Sequence, residues 1–451
     1  MKNHVVSRMV LKPYWAFIIT LLIVMSCSTE PESASPLSFY APEENVFPSQ
    51  DFPNISDYIT VIGGSDRDLL NSVIQSPDDG YILAGNTSSH DGDFEGIGRE
   101  FRYDEYDAFL MKINSNKEIE WVRTYGGSDR DTFEHILKND DGYTVIGSST
   151  SDDGDFGDHS LFRADIDLDG RIRSVHSIDE SLQQNILQRQ VQQLENGNYV
   201  SVGSSSYYTE FLTIFDKEFN PLTTFDFGNG EVHAIGMVQD SNDGFVVSGN
   251  TKSKEGVFEG MHDDLRSGHS NAFIGKFNQV GELEWINSYG GLETDEVHSL
   301  IQTRNGNYLI AGVNQTNDGD FEGMGGEFQR GINQIFLIKI DPDGKTIWKK
   351  TYGGSGGDNK VLSIHQTNDD QLVMTGVTSD ANLMEIDNSI TYAFVFMAKM
   401  NVEGEDMQIE GYNYDYQIPS HDLWSHASDS RLIMIGNSHS LEIYFLDFEL
   451  D

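Results

Sequence analysis

Short apolar runs, each entered through a polar turn and closed by a glycine, recur along most of the chain. The clearest copy is Asp79-Gly80-Tyr81-Ile82-Leu83-Ala84-Gly85, and its shape returns at Asp141 to Gly147, Asn196 to Gly203, Asp243 to Gly249 and Asn305 to Gly312. Two worn copies, Leu372 to Gly376 and Leu432 to Gly436, complete the series. The closing glycines at 85, 147, 203, 249, 312, 376 and 436 lie 62, 56, 46, 63, 64 and 60 residues apart. Self-similarity at such a period marks a repeat architecture.

One unit serves as template. Asn71 to Gln75 reads as a first strand, and Asp78-Asp79-Gly80 as a hairpin turn needing a positive φ. Tyr81 to Gly85 is the second strand, followed by a long polar loop. Ala108 to Ile113 is the third strand and Ile119 to Tyr125 the fourth, with Gly126-Gly127-Ser128 leading onward. The third strand recurs at Ala272 to Phe277 and Ile335 to Ile340, and more loosely at Phe211 to Phe215 and Ala393 to Met400. The apolar runs are continuous rather than alternating, as in sheets covered on both faces. Four antiparallel strands repeated radially predict an all-β, seven-bladed β-propeller. Trp121, Trp285 and Trp348, on the fourth strands, read as packing residues between blades.

The ends of the pattern complement each other. The chain finishes on Leu441 to Phe448, a third strand with no fourth behind it. The repeats begin at Asp57 to Gly64, a fourth strand with nothing before it. The N-terminal strand is therefore expected to complete the C-terminal blade and close the ring, leaving no bare edge.

Composition adds location. Of 451 residues, 73 are acidic and 29 basic, a net charge of -44, which excludes a nucleic-acid binder that works by neutralising phosphate. The one cysteine, Cys27, rules out an intramolecular disulfide. Lys2, Arg8 and Lys12 precede an apolar run from Trp15 to Met25, the pattern of a signal peptide. Val24-Met25-Ser26-Cys27 resembles a bacterial lipobox, although Met25 is larger than the usual residue there. Residues 1–26 are read as a cleaved lipoprotein signal, 27–54 as a lipidated Cys27 with a flexible tether, and 55–451 as the propeller. Residues 28–53 hold five of the ten prolines, which suits a segment unable to bury a core.

The candidate chemistry lies in two loops of each unit that share one face. Asp91, Asp93 and Glu95 sit in the long loop of blade 1; Asp153, Asp155 and Asp158 in blade 2; Asp318, Asp320 and Glu322 in blade 5. Carboxylates spaced by glycines could hold calcium, which takes six to eight oxygens. The other reading is an Asx-turn anchored by the phenylalanine that follows. Blade 4 replaces the second Asp with Val257, and the EF-hand spacing is absent. The second loop is Gly63-Gly64-Ser65-Asp66-Arg67-Asp68, repeated with Asp131, Asp295 and Asp358 at its end. Recurrence in four units points to a structural task, such as accepting backbone N–H groups. His135, His233, His298 and His426 fall on or near the first strands in differing registers, which argues against one metal ring. No Ser/His/Asp nucleophile motif, phosphate-cradling loop or paired-cysteine metal motif is present.

With those residues in view, the chain resembles the secreted and lipid-anchored propeller-repeat proteins of Gram-negative bacteria, whose units run Tyr-Gly-Gly-Ser, Asp-Gly-Gly-Tyr, an Asp-Gly-Asp loop, and Asp-x-Phe-x-x-Lys. The resemblance covers about residues 58–451, best in blades 1, 2 and 5. It implies an outer-membrane lipoprotein, with a membrane contact through the lipid only. The expected function is a non-enzymatic binding or scaffold module that presents its long-loop face to a glycan, peptide or protein of the envelope. The alternative is an enzyme acting on extracellular polysaccharide through carboxylates on that face. No cofactor is implied, calcium excepted.

Overall fold

The computed structural model of the protein describes residues 59–97, 105–139, 141–182, 190–204, 210–228, 231–241, 244–261, 268–324, 332–353, 357–380, 383–384, 394–413, 424–428, 431–437 and 443–449. The proposed signal, Cys27 and the tether lie outside them. The described strands form seven four-stranded antiparallel sheets. Sheet 1 consists of Asp68–Gln75, Tyr81–Thr87, Asp107–Ile113 and Ile119–Tyr125, in that spatial order. Sheets 2 to 6 repeat the arrangement from first strands Asp131–Asn139, Gln190–Gln193, Val232–Gln239, Asp295–Gln302 and Asn359–Gln366. Sheet 7 combines Trp424–Ser428, Arg431–Asn437 and Ile443–Glu449 with Ile59–Ile62, which pairs antiparallel with the last strand from Ile59↔Leu446 to Ile62↔Ile443. An all-β chain of four-stranded antiparallel sheets is the architecture of a propeller.

Successive first strands touch from sheet 1 through sheet 7, and the first strand of sheet 1 also meets Arg431–Asn437 and Ile443–Glu449. The second and third strands carry the core. Tyr81–Thr87 and Tyr308–Asn314 are buried at every position. Apolar clusters run from one sheet into the next: Ile82, Leu110, Phe133, Val145 and Phe162 form one such cluster.

The first strands begin earlier than the apolar pattern suggests, at Asp68 rather than Asn71. Asp68 is polar yet fully buried, so hydrophobicity alone misses it. Each first strand of sheets 1, 2, 4, 5 and 6 carries an irregularity of register at the same place. It falls opposite the repeat glycine. A Cβ on Gly85 would lie 1.9 Å from the Leu69 carbonyl oxygen, and one on Gly312 would lie 2.0 Å from that of Glu296. The glycine that marks the repeat is thus the residue against which the inner strand bulges.

The tryptophans occupy the expected boundaries. Trp285 donates its indole N–H to the Pro342 carbonyl of the next sheet at 3.0 Å, and Trp348 donates to Glu403 at 3.0 Å. Beside each lies a turn glycine of the next sheet with positive φ, Gly344 at +87° and Gly404 at +67°, and Gly170 at +78° stands beside Trp121. Tyr125 and Tyr352 each donate a hydroxyl to such a glycine carbonyl, Gly170 at 2.5 Å and Gly404 at 2.7 Å. One outer-strand aromatic pair therefore grips the neighbouring sheet's turn.

Candidate functional site

The long loops of sheets 1, 4 and 5 open with one turn of 3-10 helix, Gly92–Phe94, Gly256–Phe258 and Gly319–Phe321. Its phenylalanine is buried in each case and packs on a phenylalanine of the third strand, with Phe94–Phe109 and Phe258–Phe273 centroids 5.3 Å apart. In sheet 2, Phe156 stacks on Phe162 at 4.0 Å. Burial of such a ring contributes about 2–3 kcal/mol. The turn forms in sheet 4 around Glu255-Gly256-Val257-Phe258, where the two aspartates are missing. Glycine and phenylalanine therefore set its shape.

The aspartates fasten the turn to the loop between sheets. Asp91 accepts the Ser65 N–H at 2.7 Å and Asp93 the Gly63 N–H at 2.9 Å. Asp153 accepts from Ser128 at 2.7 Å and Asp155 from Gly126 at 3.0 Å. Asp318 accepts from Leu292 at 3.0 Å and Asp320 from Gly290 at 3.2 Å, with Lys349 a further 3.0 Å partner of Asp320. The Ser65 N–H holds the Asp91 carboxyl below its usual range. Glu95, Asp158 and Glu322, the third acid of each set, are exposed. No group of three or more His, Cys, Asp or Glu side chains among the described residues is gathered as a metal site.

The acid ending the connecting loop lies beneath this staple. Asp68, Asp131 and Asp295 are fully buried and accept the N–H of Gly64, Gly127 and Gly291, each at 2.8 Å. Thr87 and Ser89 add hydroxyl donors to Asp68. In sheet 6 the equivalent residue is Asn359, which receives the Thr378 hydroxyl at 2.7 Å, and not Asp358, which is exposed. That loop is one residue longer, so counting from its glycines lands one position short.

The first strands of sheets 1 to 6 line a cavity of about 830 Å³. His135 and His298 line it, as does His365, which the repeat pattern did not single out. His233 is not among the lining residues, and the side chain of His426 lies outside the described residues. Much of the inner polarity joins one sheet to the next. Asn71 donates to the Phe133 carbonyl at 2.9 Å, and the Ser72 hydroxyl accepts the Ile136 N–H at 3.2 Å. Sheet 5 repeats this, with His298 Nδ1 on the Val361 carbonyl at 2.8 Å and the Ser299 hydroxyl on the Ile364 N–H at 3.1 Å. A carbonyl can only accept, so Nδ1 of His298 carries the proton. Its Nε2 faces Glu296 at 3.9 Å, and Glu296, bonded to Ser270 at 3.0 Å, is held below its ordinary value, chiefly by His298. Ser270 bonds the carboxylate rather than the imidazole, so this trio lacks the serine–histidine contact that activates a nucleophile.

No family model and no curated protein matches the chain. Solved structures similar to it include a protein of unknown function from Dyadobacter fermentans DSM 18053 (11% identity, 87% of this chain and 98% of that one, TM-score 0.42). The polysaccharide lyase Uly1 is similar over 86% of this chain and 90% of its own (10% identity, TM-score 0.46). The Neurospora crassa Pan2 WD40 domain is similar over 86% and 97% (8% identity, TM-score 0.41). At these identities no residue role passes from them to this chain.

Proposed function

We propose that the chain is an outer-membrane lipoprotein, anchored through Cys27, whose sheets form a closed seven-bladed propeller acting as a non-enzymatic binding or scaffold module. The pairing of Ile59–Ile62 with Ile443–Glu449 supports the closure. The lipobox-like Val24 to Cys27 and the proline-rich stretch after it support the anchor and tether.

The observation that carries the binding reading is the stapled turn. In blades 1, 2 and 5 two carboxylates per loop are engaged by backbone N–H groups while the next acid is turned outward, and in blades 1 and 4 an exposed apolar residue follows that outward acid. Glu95 and Ile97 in blade 1, and Glu259 and Met261 in blade 4, are exposed together. A turn held by its own hydrogen bonds has little conformational freedom left to lose, which lowers the cost of binding. Outward acids beside apolar groups fit an envelope protein or glycan-bearing partner with cationic groups at its surface. The reading needs no calcium, because the turn of blade 4 forms without the aspartates.

The test is co-purification from solubilised envelope with the full lipidated chain, wild type against a Glu95→Ala, Ile97→Ala, Glu322→Ala variant. A partner retained by the wild type and lost from a variant with the same melting temperature is the expected result, unchanged by a chelator. Cleavage of an envelope polysaccharide by the wild type, read as new chain ends, would replace this reading with the enzymatic one.

A further inference from the structure

The cavity lined by the first strands differs from the rest of the molecule in charge. Aspartate, glutamate, lysine and arginine make up 23% of the chain, yet none is among the described lining residues. What lines it is amide, hydroxyl, imidazole and aliphatic carbon. Its size falls within the roughly 300–1,000 Å³ of small-molecule sites.

The polar groups are unequally committed. Asn71, Ser72, His298 and Ser299 are engaged in the bonds between sheets described above, and Ser363 bonds Thr375 at 2.8 Å. Gln190 and Gln192 are different. They lie two apart on the short first strand of sheet 3, so both side chains leave the same face. Neither makes a side-chain hydrogen bond to another described residue, and Oε1 of Gln192 is buried without a partner. A buried amide oxygen left unpaired costs about 1–3 kcal/mol, which a ligand hydroxyl recovers once the amide turns toward the cavity. The adjoining wall, from sheet 4, is apolar: Ala234, Ile235 and Met237, with Gly236 between them. In sheet 4, Ile235 and Gly236 occupy the places of Asn71 and Ser72 in sheet 1, since the register shifts there match.

We propose that this cavity is a binding site for a neutral polyhydroxylated molecule, a mono- or disaccharide. Gln190 and Gln192 would bond adjacent hydroxyls, each amide both donating and accepting. The aliphatic wall of sheet 4 would cover the C–H face of the ring. An ionised ligand would find no aspartate, glutamate, lysine or arginine in the described lining to pair with, at a large desolvation cost. The described lining offers no tryptophan, tyrosine or phenylalanine ring for stacking, so the affinity belongs in the millimolar range. The site is separate from the loop face and stands whether or not a partner binds there.

The experiment is saturation-transfer NMR and calorimetry on the full chain with glucose, galactose, N-acetylglucosamine and cellobiose, each up to about 50 mM, a ceiling set by the expected affinity. At least one sugar binds the wild type. The Gln190→Leu, Gln192→Leu variant weakens it by about tenfold or more, the weight of a lost hydrogen bond, and keeps or raises the melting temperature because an unpaired buried oxygen is gone. The single Gln190→Ala variant, at an exposed position, gives the same reading if the double variant does not fold. Absence of binding by all four sugars overturns the proposal. So does binding that the glutamine variants leave unchanged, or that is lost on altering Glu95 and Glu322 instead.

Discussion

At the scale of single residues, the acids of this chain divide by burial rather than by sequence. Asp320 and Asp295 belong to neighbouring motifs, yet one is a partly exposed staple and the other lies sealed beneath it. Burial pushes the Asp295 carboxyl up to about 8, against two backbone N–H bonds, from Gly291 and Gln315, that oppose the shift. The residue opposite explains why the shift is so large here. Asp68 faces Thr87 and Asp131 faces Ser149, both hydroxyl donors to the carboxylate, whereas Asp295 faces Asn314, whose Oδ1 is buried and unpartnered. A protonated Asp295 can donate to an acceptor that an ionised one would repel. Because the folded value lies above the ordinary 3.8 of Asp, the folded state holds a proton that the unfolded chain releases. The resulting stability is complete below about pH 4, declines as pH rises, and is gone above about pH 8. Melting temperature measured from pH 5 to 9 should therefore fall, and the slope should flatten in Asn314→Thr, which restores a hydroxyl donor. An unchanged slope in that variant would place the titration elsewhere.

At the scale of the element, the bulge and its glycine explain what the sequence could and could not disclose. Strands two and three announced themselves as apolar runs because both their faces are covered. The repeat glycine was visible too, but its reason was not, since nothing local indicates that a carbonyl of the preceding strand stands 1.9 Å from where a Cβ would be. Gly85→Ala must move that carbonyl and also crowds the Phe109 ring at 3.0 Å, and should cost more than about 3 kcal/mol in chemical denaturation. Gly96→Ala is the contrast. Its φ of +78° disfavours alanine, but nothing lies within 4 Å, so about 1 kcal/mol is expected. Equal costs would show that backbone conformation, and not the close approach, fixes the repeat glycine. The acidic loops were legible as motifs and ambiguous as chemistry. Spacing alone cannot say whether an oxygen faces a cation or the N–H of Gly63. The amides of Gln190 and Gln192 gave no motif at all, because their significance lies in having no side-chain partner among the described residues across a sheet boundary.

At the scale of the whole molecule, the decisive bond pattern is one of the two shortest. Four residue pairs, Ile59↔Leu446 to Ile62↔Ile443, join the two ends of the repeat region. The remaining sheets are each built from consecutive strands and depend on no distant segment for their own pairing. If the sheets form a closed ring, loss of Ile59–Ile62 bares the edge of Ile443–Glu449 and removes Ile62 from the cluster it shares with Ile443, Leu70, Leu83 and Phe109. The damage then falls on sheets 7 and 1 together. Excess negative charge adds to it, since a net -44 resists compaction and a ring once opened can relieve that repulsion by spreading. Deletion of residues 55–62 should therefore abolish the single cooperative melt, and a peptide spanning residues 55–64, supplied in trans, should restore part of it by taking the vacant edge. Higher salt should soften the defect by screening the repulsion. A deletion that melts as sharply and at the same temperature as the intact chain would mean that the sheets stand by their neighbours alone, as in an open solenoid, and that the pairing of the two ends contributes nothing to holding them in a ring.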